Sequence, residues 1–157
     1  DKMPHNFFRL GFIHAAFPEA KIIHTSRNPM AVCWSSFKHH FKSRGMDYSY
    51  TLENLAHQYK AYLDLMSFWQ KKFGDAIYEL DYEKLTLNQE KETQSLLDFC
   101  HLDFEPACID FHKTARNVRT ASQVQVREKM YKNISRDWEA YAAHLKPLLD
   151  GLGIQAP

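Results

Sequence analysis

The sequence predicts an α/β domain, a parallel sheet flanked by helices. Three observations carry that expectation. Residues 20–26 and 76–81 are short runs with strand composition. Longer stretches with apolar residues near helical spacing alternate with them. The first run ends in Arg27-Asn28-Pro29, which reads as a turn leading straight into a helix.

Residues 6–17 predict an amphipathic helix, with Phe8, Phe12, Ile13 and Ala16 near helical spacing and Pro18 as its stop. The strand over 20–26 follows. Pro29 suits the first turn of the next helix, where its missing N–H costs nothing, and that helix is expected to reach Phe41. Residues 43–50, with Gly45, read as a loop. Thr51 is the expected N-cap of a long helix reaching about Phe73, with Asn54 where a capping box prefers Glu or Gln. Leu52, Leu55, Tyr59, Tyr62, Leu63, Met66 and Trp69 form its apolar stripe, and Gly74 fits its C-cap. The second strand spans 76–81. A helix over 88–100 turns Leu96, Leu97 and Phe99 inward, and 105–113 suggests a short helix after it. Residues 114–123 read as a loop and 124–131 as helical. Ser135 is expected to cap a last helix through Leu149, terminated by Gly151 and Gly153. Two strands are too few for a parallel sheet, so further strands are expected upstream of Asp1, and the chain reads as part of a longer protein.

The 157 residues are close to the usual size of one domain, and 45% apolar residues suffice for a core. Twenty basic residues nearly cancel 19 acidic ones, giving a net charge of +1, which argues against nucleic acid or an acidic membrane as partner. Cys33, Cys100 and Cys108 do not suggest a disulfide framework. The absence of CxxC and HExxH gives no support for a metal. No apolar run spans a bilayer and the opening residues carry no signal-peptide pattern, so a cytoplasmic location is expected.

A strand, then Arg-Asn-Pro, then a helix is an arrangement suited to anions. Ligands of open α/β sheets bind beyond the carboxyl ends of strands. A helix N-terminus there presents N–H groups and the positive end of its dipole. Arg27 adds a forked cation. Ser35 follows eight residues later, roughly 80° around the helix from residue 27 by the 3.6-residue period. On spacing alone, a surface ion pair for Arg27 and simple packing for Ser35 are the favoured reading.

The run from His24 to Phe37, with Arg27-Asn28-Pro29 and Ser35, resembles the 3′-phosphate-binding segment of sulfotransferases that use 3′-phosphoadenosine 5′-phosphosulfate. In that family a strand ends in Arg-Asn-Pro or Arg-Asp-Pro, and a Ser follows eight residues after the Arg. Asp1-Lys2-Met3-Pro4-His5-Asn6-Phe7 and Phe17-Pro18-Glu19-Ala20-Lys21-Ile22-Ile23 resemble bacterial tetratricopeptide-linked sulfotransferases and, more distantly, protein-tyrosine sulfotransferases.

The resemblance implies that Arg27 and Ser35 contact the 3′-phosphate. It aligns Lys2 with a Lys at the reacting centre, and His5 nearby is a candidate base. Leu80-Asp81-Tyr82-Glu83-Lys84-Leu85 is similar to the Tyr-Glu-x-Leu segment, which puts Tyr82 by the nucleotide. The stretch 120–127, continuing to Tyr131 and Trp138, is similar to the late loop over the donor, bringing in Ser122, Arg127, Thr120 and Tyr131. Arg136 is a further phosphate candidate, although Asp137 stands directly before Trp138 where relatives often have a basic residue. The Gly-rich loop that cradles the 5′-phosphosulfate does not occur in this chain.

The implied fold is a P-loop-like parallel sheet with its N-terminal strand and Gly-rich loop outside the chain. Residues 1–157 would then be the C-terminal part of a single sulfotransferase domain. The implied reaction moves a sulfuryl group from the donor to a hydroxyl or amine of a protein, glycan or small molecule, with no metal. Tetratricopeptide repeats upstream are a possible accompaniment. The alternative is a nucleotide-binding or protein-interaction module that kept the fold without catalysis.

Overall fold

A computed structural model describes residues 2–41, 45–113, 128–130 and 134–157. The described elements are helix-rich: α1 (Leu10–Ala16), β1 (Ile22–Ser26), α2 (Pro29–Phe37), α3 (Leu52–Phe73), β2 (Ile77–Asp81), α4 (Tyr82–Leu87), α5 (Gln89–Cys100) and α6 (Lys146–Leu152), with 3-10 turns between them. β1 and β2 pair as a small two-stranded parallel sheet. The mixed α/β class expected from the sequence is therefore present. By its contacts the chain falls into two compact units, one of Asp1–Ile22, Arg27–Ile77 and Ile134–Pro157, the other of Ile23–Ser26 and Tyr78–Asn133.

The first unit is organised on α3. Thr51 Oγ1 accepts from the Asn54 N–H at 3.3 Å, and Gly74 closes the helix at φ 49°, as the capping residues predicted. One buried cluster joins Met30, Ala31 and Cys33 of α2, Leu55 and Ala56 of α3, Trp138, and Leu145, Leu148 and Leu149. A second joins Leu10, Ile22, Met66 and Ile77, with Trp69 and Phe73 packed against it.

The chain after Ile134 departs from expectation. Ile134–His144 is a 3-10 helix, and α6 begins only at Lys146. Pro147 explains the break, since it has no N–H and fits only the first turn of a helix. Gly153, at φ 70°, ends α6. Gly151 does not end it but lies inside it, where an added Cβ would stand 2.5 Å from the Ala56 Cβ, so the missing side chain lets α6 close on α3.

Several other boundaries differ. The first helix is split into a 3-10 segment, Pro4–Arg9, and α1. α2 stops at Phe37 instead of Phe41, and Asp47–Tyr50 adds a 3-10 turn in the expected loop.

In the second unit, Asp81 Oδ1 accepts from the Lys84 N–H at 2.9 Å and starts α4, a helix the sequence reading did not predict. Leu80 of β2 and Thr86 of α4 are buried. α5 has no fully buried residue, and its Leu96, Leu97 and Phe99 are half-buried, the Phe99 ring standing 5.1 Å from Tyr78. The expected helix over 105–113 is two 3-10 turns, Pro106–Cys108 and Phe111–Lys113. Residues 114–127 and 131–133 lie outside the described residues, as does the expected 114–123 loop. The described part of the expected 124–131 helix, 128–130, is not helical. Among the described residues no helix is long and apolar enough to cross a membrane.

Candidate functional site

The junction between β1 and α2 is built in layers. β1 ends at Ser26, and Asn28 caps α2 by accepting from the Ala31 N–H through Oδ1 at 3.0 Å. Pro29 takes the first helical position. Arg27 stands between strand and cap, and at least two hydrogen bonds hold it. Its Nε donates to Ser135 Oγ at 3.0 Å, and its carbonyl accepts from the Tyr59 hydroxyl at 3.3 Å.

One expectation is narrowed by this geometry. The first turn of α2 was expected to present its N–H groups to an anion. Pro29 has none, and the Ala31 and Val32 amides are taken by Asn28 Oδ1 and Asn28 O. The positive character of this junction therefore rests chiefly on Arg27, a permanent cation with a planar fork suited to phosphate.

Ser35 lies on α2 with its side chain exposed. The turn around it is anchored from the opposite face. Met30 is wholly buried, and Cys33 sits so deep that burial pushes its thiol up to about 12. Such a thiol stays protonated and is packing material, not a nucleophile. The Trp34 ring lies tilted against Tyr141 at 4.7 Å between ring centroids, and Lys38 Nζ lies 5.1 Å from the centre of the Trp34 ring.

The remaining predicted residues separate. Lys2 is exposed. His5 is half-buried, with Nε2 3.4 Å from the Tyr48 hydroxyl. Burial, and secondarily Cys33, pushes the Tyr48 phenol upward, so it remains a neutral hydrogen-bonding group. Tyr82 is the first residue of α4 and half-buried in the second unit. Arg136 is exposed and engages Glu139 through Nε at 2.7 Å and Nη2 at 3.0 Å. Thr120, Ser122, Arg127 and Tyr131 lie outside the described residues.

Two residues at Arg27 were not anticipated. Ser135 was read as a helix cap and Tyr59 as part of an apolar stripe. Ser135 is 108 residues from its partner and Tyr59 is 32, so no local pattern links either to Arg27.

Comparison with known proteins adds a second kind of observation. A model of the Sulfotransferase family matches residues 1–106, which include Lys2, the Arg27 junction, Ser35 and Tyr82. An uncharacterized protein of Aquifex aeolicus (strain VF5) is 37% identical over 152 residues, covering 96% of this chain and 20% of that protein. The chain thus spans about a fifth of the length of that relative.

Proposed function

The chain belongs to the sulfotransferase family, and from that premise we propose that it forms the 3′-phosphate-binding part of an enzyme that transfers a sulfuryl group from 3′-phosphoadenosine 5′-phosphosulfate to a hydroxyl or amine. The observation that carries this reading is Arg27, tethered by Ser135 and Tyr59 directly before the cap of α2. A guanidinium so held is organised in advance to receive a doubly bonded phosphate. Ser35, exposed farther along α2, adds a hydroxyl that can donate to the same anion.

In this reading residues 1–157 are the C-terminal part of one sulfotransferase domain. The Gly-rich loop for the 5′-phosphosulfate lies elsewhere in the full-length protein, and the parallel sheet is completed there. The greater length of the Aquifex relative is compatible with that arrangement. Lys2 stabilises charge on the oxygen that leaves with the nucleotide, as preorganised cations do in phosphoryl transfer. His5 takes the acceptor proton. Tyr82 packs by the nucleotide, and Thr120, Ser122, Arg127, Tyr131 and Arg136 supply the late contacts. Arg136 must exchange Glu139 for phosphate to do so.

Calorimetry on full-length protein with 3′-phosphoadenosine 5′-phosphate tests the site. Micromolar binding is expected, with a loss of roughly a hundredfold in Arg27→Ala, since a charge-assisted bidentate contact is removed. Binding that Arg27→Ala leaves untouched would refute the assignment. Turnover of labelled donor with hydroxyl and amine acceptors separates the enzyme from a nucleotide-binding module without catalysis.

A further inference from the structure

We infer that Ser135 is a positioning residue for Arg27, one that sets the plane of its guanidinium and thereby the preference for nucleotides bearing a 3′-phosphate. The inference rests on the reading of Arg27 as the 3′-phosphate contact and adds to it a residue outside the stretch matched by the family model.

The Nε–H lies in the guanidinium plane, so anchoring it fixes that plane and the direction of the Nη1–Nη2 edge. Ser135 Oγ accepts this bond at 3.0 Å. The acceptor is itself rigidly placed. Ser135 is only 8% exposed and lies in the 3-10 helix Ile134–His144. In a 3-10 helix residues three apart share a face, which puts Ser135 over Trp138. Trp138 is 6% exposed and belongs to the same buried cluster as Met30 of α2. The core thus holds both ends of the Arg27–Ser135 bond. Tyr59 fixes the Arg27 carbonyl, so main chain and side chain are restrained by separate elements. A hydrogen bond in such surroundings is stronger than one at an exposed site. Losing it removes one restraint on the guanidinium plane before binding, which weakens the contact with phosphate.

Full-length wild type, Ser135→Ala, Ser135→Thr and Arg27→Ala are titrated with 3′-phosphoadenosine 5′-phosphate and, by competition, with adenosine 5′-monophosphate, which lacks the 3′-phosphate. The ratio of the two affinities isolates the contribution of that phosphate. Ser135→Ala is expected to reduce the ratio about tenfold while leaving the monophosphate affinity within about twofold, and Ser135→Thr to restore it. If Ser135→Ala weakens both nucleotides alike, or neither, the positioning role is wrong. If Arg27→Ala collapses the ratio and Ser135→Ala does not, this inference fails and the parent reading stands. If Arg27→Ala leaves the ratio intact, both fall. Should Ser135→Ala not fold, Ser135→Cys carries the same expectation, because a thiol is a weaker acceptor than a hydroxyl.

Discussion

Among the described residues two strand-to-helix junctions share a kind of cap and differ in the residue that precedes it. After β1, Asn28 Oδ1 accepts from Ala31 at 3.0 Å; after β2, Asp81 Oδ1 accepts from Lys84 at 2.9 Å. Before the second cap stands Leu80, buried, and with Leu85 five residues on it has the sequence pattern of a hydrophobic staple. Before the first stands Arg27, which cannot staple anything. Its position comes from Ser135 and Tyr59 instead. The cap is generic local chemistry. A junction becomes a candidate site when the residue at its mouth is fixed by distant parts of the chain.

Four sets of substitutions test this difference. The largest effect is expected at Met30, the second residue of α2 and 0% exposed, whereas Glu83, its counterpart in α4, is half-buried. Met30→Ala should cost about 2–5 kcal/mol in chemical denaturation. A loss under about 1 kcal/mol would show that the core does not anchor the first turn of α2. Arg27→Leu writes the second junction's pattern into the first. It should retain helical circular dichroism while losing roughly a hundredfold in affinity for 3′-phosphoadenosine 5′-phosphate, about 2.7 kcal/mol. Unchanged affinity would make the two junctions functionally equivalent.

Removing each cap in turn, by Asn28→Ala and Asp81→Ala, should cost about 1 kcal/mol in either case. A cost at Asn28 several times that at Asp81 would mean that the first cap does more than close a helix. The smallest effect belongs to Arg136→Ala. The Arg136 guanidinium holds the Glu139 carboxyl below its ordinary range, first by hydrogen bonding and then by its charge. A depressed carboxyl contributes stability above its unfolded pKa and loses it as pH falls through its folded one. Melting of wild type and variant should differ slightly near neutral pH, because the pair is exposed, and converge in strong acid.

Much of the scaffold was legible because its signals are local. Thr51 and Gly74 bounded α3, Pro29 opened α2, and the β-branched residues of 22–26 gave a strand. The capping aspartate before α4 was equally local, but the segment was read for its family motif and the helix was passed over. The 3-10 form of Ile134–His144 was not legible, since apolar spacing does not separate three residues per turn from 3.6 over so short a run. Pro147 is a local mark of the restart at α6, but the helix expected through Leu149 ran across it. At the site, Arg27 and its neighbours gave the expectation of an anion-binding turn, which is carried forward as the proposed function. Ser135 and Tyr59 were invisible because partners 108 and 32 residues away leave no periodic trace.

The bond from Tyr59 has a consequence for how this junction can change over evolutionary time. It ends on the carbonyl of residue 27, an atom every amino acid possesses. The tether is therefore indifferent to the side chain it holds in place. Substitution at this position can retune what the junction recognises while the backbone keeps its seat against α3. If Arg27 recognises phosphate as proposed, recognition and architecture lie on different atoms of one residue, and the first can drift while the second is kept by geometry.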